Sequence, residues 1–131
     1  MKKGIVILAV LGVLSLAGCE NNRSQVRKFK RLAEKTNQSC PTRMNETITL
    51  DSTNYNEKNN TVSYFYSVTG ELDSPTYMNT HYATFKQALQ EAVDNSVEME
   101  EYRKFSTSIR YIYYSGSDQK QLAEFSFNSP K

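Results

Sequence analysis

Apolar and polar positions follow three different rhythms along this chain, and each rhythm predicts a different element. From Ile5 to Leu16 the residues are apolar almost without a break, between Lys2-Lys3 and the small pair Ala17-Gly18. Further on, Val26, Phe29, Leu32 and Ala33 recur at i, i+3, i+6 and i+7, which makes one stripe of a helix that Ser24 can cap. Asn37 to Pro41 breaks that helix, because Pro41 disfavours a helical Cys40 and the Asn-Gln-Ser run prefers turns. Met44, Glu46, Ile48 and Leu50 then alternate with Asn45, Thr47 and Thr49, which predicts a strand from Met44 to Ser52. After the polar connection Asn54 to Asn60, Thr61 to Thr69 reads as a second strand, with Val62, Tyr64, Tyr66 and Val68 on one face and Phe65 on the other. Two strands so close in sequence pair most simply as an antiparallel hairpin.

The second half repeats the scheme. Gly70 to Asn79 is turn-like, with Gly70, Asp73 and Pro75 as breakers. Phe85, Ala88, Leu89, Ala92 and Val93 then give the strongest helical periodicity in the chain, with Thr80 or Thr84 as cap and Asn95 as end. The stretch from Val97 to Tyr102, with Glu98, Glu100 and Glu101, is either a further helical turn or an acidic loop. Phe105 to Ser115 predicts a strand with Phe105, Ile109, Tyr111 and Tyr113 on one face and Arg110, Ile112 and Tyr114 on the other. A short Ser-Gly-Ser-Asp turn leads into the strand Gln121 to Asn128, in which Ala123, Phe125 and Phe127 align. The order α-β-β-α-β-β predicts an α+β fold, with one antiparallel four-stranded sheet and two helices packed on one face, in a single domain over residues 24–131.

Length bears out that economy, since 131 residues hold one core and exclude multidomain enzymes, repeat arrays and channels. The apolar run near the start is about a dozen residues long, whereas a membrane-crossing helix needs about 20, so residues 1–18 read as a secretory signal peptide. Lys2 and Lys3 go with it; taking two from the 16 Lys and Arg leaves 14 against 14 Asp and Glu. A chain of zero net charge outside the cytoplasm does not suit nucleic acid.

Little in the sequence carries catalytic chemistry. There is no glycine-rich phosphate loop, no His and Cys spacing for a metal and no His-Glu-x-x-His pattern, so no enzyme activity, cofactor or metal is expected. His81, the only histidine, reads as a polar residue at a helix start, and Glu98, Glu100 and Glu101 as a solvated run rather than a calcium site. Nine Tyr and six Phe exceed the needs of so small a core. Tyr joins apolar area to a polar tip, and the strand face bearing Phe65, Ile112 and Tyr114 is the candidate surface for a protein partner, or else a shield over the outer sheet. The first helix sets Arg23, Arg27, Lys28, Lys30, Arg31 and Lys35 against Glu34 alone. Arg27, Lys28 and Arg31 are candidates for contact with anionic headgroups; the alternative is a solvated helix face.

The run Leu16-Ala17-Gly18-Cys19 closely resembles the lipobox of bacterial lipoproteins. That resemblance implies a diacylglyceryl thioether on Cys19, cleavage before it, a lipidated tether over residues 19–23 and a membrane held through the N-terminal lipid, with no cofactor needed. Glu20 rather than Asp at the second position resembles lipoproteins passed to the outer membrane, and favours its periplasmic face. With Cys19 taken by lipid, Cys40 has no disulfide partner in the chain and is either a buried thiol, an intermolecular bridge or a reactive group.

Two further likenesses concern the folded part. Asn37-Gln-Ser-Cys40-Pro41, with the strand after it and Val62-Ser-Tyr-Phe-Tyr66, is similar to a group of small bacterial envelope proteins. The element order on a short lipid tether is similar to a class of type II secretion pilotins, which escort secretin subunits to the outer membrane. Those pilotins typically carry an internal disulfide, which this chain cannot form. Three functions are therefore expected in order: a non-enzymatic, lipid-anchored envelope module binding a protein through Phe65, Ile112 and Tyr114; a pilotin-like chaperone; and a small-ligand or thiol-dependent activity centred on Cys40.

Overall fold

The computed structural model describes residues 23–128. The signal peptide expected over residues 1–18, Cys19 and the expected tether up to residue 22 lie outside the described residues. A helix, α1, runs over residues 23–38, so Ser24 sits within it rather than at its cap. Close contacts divide the chain into one unit ending at Leu32 and another starting at Ala33. In the first, the described stretch is the opening of α1, with Phe29 buried and Arg23, Arg27, Lys28, Lys30 and Arg31 exposed.

The second unit is α+β and is built on a five-stranded mixed sheet. Its strands are β1 (Thr42–Arg43), β2 (Ile48–Asn56), β3 (Thr61–Val68), β4 (Ser108–Ser115) and β5 (Gln121–Phe127), side by side in chain order. Helices α2 (Pro75–Thr80), α3 (Tyr82–Asn95) and α4 (Glu100–Lys104) lie between β3 and β4 in sequence. That long helical crossover brings the chain back to the same end of the sheet, and β3 and β4 consequently pair parallel, Val62 with Ile109 through Val68 with Ser115. The expected all-antiparallel four-stranded sheet with two helices is corrected on three counts: one parallel pair, a fifth strand too short to show a period, and additional helices.

Local chemistry explains the shifted boundaries. The Asn45 side chain accepts hydrogen bonds from the backbone N–H of Thr47 and Ile48 at 2.9 Å each, so Met44 to Glu46 form a turn and β2 starts only at Ile48. A bulge between Leu50 and Ser52 then resets the alternation, putting Leu50, Thr53 and Tyr55 on one face. Ser74 caps α2 by accepting from the Tyr77 N–H, and Pro75 occupies its first turn, where a missing N–H costs nothing. The cap expected at Thr80 or Thr84 is absent, and His81 joins α2 to α3. Val97–Met99 forms a 3₁₀ turn that leads into α4, and Phe105 ends α4 instead of opening β4. Arg103 donates to the Val93 and Ser96 carbonyls at 2.7 and 2.9 Å, closing the C-terminal end of α3.

Both flanks of the sheet are tied down. Beyond β1 the Asn37 side chain acts as a strand residue, accepting from Thr53 N–H at 2.8 Å and donating to its carbonyl at 2.9 Å. On the far side the Tyr82 hydroxyl donates to the Glu124 carbonyl of β5 at 2.8 Å. Between β4 and β5, Gly116 N–H donates to Val68 O at 2.8 Å, and a Cβ there would lie 2.8 Å from that oxygen. The approach therefore needs glycine. Ser115 and Ser117 hydrogen-bond the Asp73 carboxylate and hold it below the ordinary carboxylate range, joining this turn to the start of the crossover.

Candidate functional site

Strand parity sends Val62, Tyr64, Tyr66 and Val68 of β3, Ile109, Tyr111 and Tyr113 of β4, and Ala123, Phe125 and Phe127 of β5 to one side of the sheet. This side meets the helices. Tyr82 of α3 stacks on Phe125 with ring centres 4.5 Å apart, and the Tyr64 hydroxyl pairs with that of Tyr102 on α4. Tyr66 stacks on Tyr113 at 4.9 Å and Tyr64 on Tyr111 at 5.4 Å, forming a ladder across the parallel strand pair. Burial pushes Tyr111 and Tyr113 up to about 12, and drives Tyr64 and Tyr66 further above the ordinary tyrosine range. These hydroxyls stay protonated, and they act as packing groups with polar tips rather than as bases.

Where α2 and α3 cross the sheet, the packing leaves a cavity of about 150 Å³. Met78, Phe85, Ala88 and Leu89 line it from the helices, Ile48, Tyr113 and Phe125 from the sheet, and Leu72 from the turn before α2. No charged side chain is among them. The floor is closed, with Met78 at 3% and Phe125 at 0% exposure, whereas Phe85 and Leu89 are half-buried and Ala88 is exposed. The most regular apolar stripe in the sequence is thus only partly covered, and Val93 alone on α3 is fully buried.

On the other side of the sheet, β3 and β4 bring the three expected partner residues together. Phe65 is the register partner of Ile112, and its ring stacks on Tyr114 with centres 6.5 Å apart. Phe65 and Tyr114 are half-buried, but Ile112 is 1% exposed. Its place on a central strand encloses it, so it supports the patch from beneath rather than offering itself to a partner. Arg110 and Glu124 flank the patch in a two-pronged ion pair at 3.0 and 3.2 Å, which lowers the Glu124 carboxyl below its ordinary range. Arg110 also donates to Ser63 Oγ at 3.4 Å, and the Asp51 carboxylate accepts from the Ser67 hydroxyl.

The remaining candidates are scattered. Arg27, Lys28 and Arg31 are exposed on α1, and Cys19, the residue expected to carry lipid, lies outside the described residues. Cys40 is half-buried and free of disulfide, before a cis Pro41. His81 lies against the Tyr77 ring at 4.3 Å, at the joint of α2 and α3. Among the described residues no three His, Cys, Asp or Glu side chains group to hold a metal, and no helix is long and apolar enough to cross a membrane. Sequence reasoning missed Asn60, which sits in the left-handed region at φ 49°. Its side-chain oxygen accepts from the Tyr55 and Thr107 hydroxyls at 2.8 and 2.9 Å, and its amide donates to the Phe105 carbonyl at 3.0 Å. An Asn ending a polar loop was its one signal. The pocket was missed because Leu72 and Met78 fall in a segment that reads as a turn.

The model of the family described as a domain of unknown function, DUF8479, matches residues 23–123. The chain belongs to that family. No curated protein matches its sequence. Among solved structures, this DUF8479 chain is similar to PA3611 of Pseudomonas aeruginosa, described as a secreted protein, with a TM-score of 0.70 and 13% identity over 82% of this chain and 92% of the other. It is also similar to the type II secretion system pilotin AspS from Vibrio cholerae, with a TM-score of 0.60 and 12% identity over 86% of this chain and 96% of the pilotin. At such identities the likeness is one of fold.

Proposed function

We propose that this DUF8479 protein is a lipid-anchored, non-enzymatic protein of the bacterial envelope that binds an apolar segment of an envelope protein and escorts it, as a pilotin does. The pocket between α2, α3 and the sheet is the seat. The partly covered stripe of α3 supports this reading: Phe85, Ala88 and Leu89 border a charge-free cavity of about 150 Å³, room for one bulky apolar side chain of a partner helix. The lipobox at Cys19 supports the anchor, and the fold shared with a protein described as secreted and with a type II secretion pilotin supports the envelope setting.

Ala88 provides a clean test, because it lines the pocket yet is exposed. Ala88→Trp fills the mouth without entering the core. Deletion of the gene should deplete secretin multimers from the outer membrane, and the Ala88→Trp chain should fail to restore them by at least about tenfold, the equivalent of about 1.4 kcal/mol, with an unchanged circular dichroism spectrum. Normal multimers in the deletion strain exclude the escort role. A second reading, binding through the opposite sheet face, is favoured by the register that brings Phe65, Ile112 and Tyr114 together. It predicts the reverse pattern: Ala88→Trp restores multimers, and Phe65→Ala with Tyr114→Ala does not.

A further inference from the structure

Charge is distributed unevenly along the chain. Residues 23–32 hold five cations, Arg23, Arg27, Lys28, Lys30 and Arg31, and no acid. Removing those five from the 14 cations that follow the leader leaves nine in residues 33–131, against 13 Asp and Glu; the fourteenth acid is Glu20. The opening of α1 is therefore +5 and the rest of the chain to its end is −4. Such polarity, in residues 19–131 that together carry no net charge, points to a charged surface at the basic end.

Helix geometry concentrates the basic residues. Arg23, Arg27 and Arg31 stand four residues apart, in one row along α1, and all three are exposed, with Lys28 and Lys30 to either side. Phe29 is buried, and Gln25 and Val26 are half-buried, on the remaining arc of the same helix. Arg23 stands four positions after Cys19, a reach of about 14 Å fully extended. If Cys19 carries lipid, as the proposed function holds, this row is never far from the headgroups.

We infer that the row Arg23, Arg27 and Arg31 of α1 docks on the anionic headgroups of phospholipid. Anionic phospholipid attracts the basic row, while residues 33–131 carry net negative charge and add no such attraction. This inference rests on the anchored reading only for its setting; the contact itself is a property of α1. Each cation near an anionic surface contributes about fivefold to affinity, and the three together about a hundredfold, screened by salt.

The test uses the mature chain, residues 19–131, with Cys19→Ser so that no acyl chain contributes. Sedimentation with vesicles of phosphatidylcholine alone, and with phosphatidylglycerol added, measures the contact. The expected result is binding only to vesicles containing phosphatidylglycerol, release at high salt, and a loss of about a hundredfold in the combined Arg23→Gln, Arg27→Gln and Arg31→Gln variant. A second variant, Lys58→Gln with Lys86→Gln and Lys120→Gln, removes the same charge from exposed positions elsewhere and should bind as the parent does. Equal losses in the two variants would assign the effect to net charge and overturn the inference, as would binding to phosphatidylcholine alone or to neither vesicle. Mass spectrometry of Cys19 in the native protein tests the anchor separately. An unacylated Cys19 removes the anchored reading and leaves the vesicle result standing.

Discussion

The two sides of the sheet are both aromatic, yet their rings do different work. Toward the helices, Tyr64, Tyr66, Tyr111 and Tyr113 stack across β3 and β4, close on Phe125 and Phe127, and have hydroxyls that burial keeps protonated. Away from them, Phe65 and Tyr114 stack as a pair, and their register neighbours on β2 and β3 are Ser52 and Ser67, with the Arg110 and Glu124 pair alongside. Aromatic content alone does not separate a core from a surface. The crossover through α2, α3 and α4 separates them, because it lies over one side and so converts the tyrosines beneath it from amphipathic groups into packing groups.

Truncation should expose that difference most strongly. Phe125 is fully buried between Tyr82 and Tyr113, and Phe125→Ala should cost about 3–5 kcal/mol of unfolding free energy in urea titrations. Phe65→Ala, on the half-buried side, should cost about 1 kcal/mol. Comparable losses at the two positions would mean that the second side is also a core, and would remove it as a binding surface.

Alkaline titration sharpens the same contrast at a smaller scale. Tyr111 and Tyr113 rise from an ordinary 10 to about 12 in the fold, chiefly through burial. A raised folded value means stability that is complete below about pH 10 and is lost as pH rises from there toward 12, since the unfolded chain ionises first. Each of these two rings is worth about 2 kcal/mol over that window. Tyrosinate absorbance and loss of circular dichroism should therefore rise together in one step above pH 10, and Tyr111→Phe should move that step to higher pH. Gradual ionisation with the fold intact would show that water reaches the helix-facing side.

Much of this contrast is legible in the amino-acid pattern, and the missing part has a common cause. Alternation alone assigned Val62, Tyr64, Tyr66 and Val68 to one face and Phe65 to the other, and did the same for Tyr111 and Ile112 on β4. Parity reports the face of a residue but not its neighbours, so it brought Phe65, Ile112 and Tyr114 together without revealing that Ile112 is enclosed. Pairing direction was illegible for a similar reason: it depends on where a long connection ends, and Pro75 read as a breaker when Ser74 makes it a helix start. The bulge at Asp51 and the two-residue β1 carry no period at all. What escaped the sequence was settled by contacts between segments, and the pocket, assembled from six of them, is the extreme case.

The smallest expected effect lies in the ion pair beside the Phe65 patch. Arg110 and Glu124 meet at 3.0 Å, but their side chains are 41% and 35% exposed, so solvent screens most of the attraction. Chiefly through its hydrogen bond, Arg110 holds the Glu124 carboxyl below its ordinary range. A lowered folded value gives stability that is present above the unfolded glutamate value of about 4.3 and is lost as pH falls through the folded one. Arg110→Ala should therefore cost no more than about 0.5 kcal/mol at neutral pH, less in high salt, and nothing once Glu124 is protonated. Urea midpoints of parent and variant compared at neutral and acid pH check this directly. A penalty several times larger that persists in acid would mean that Arg110 acts through packing over Ile112 instead of through charge, and that this side of the sheet is held together more like the other than the comparison allows.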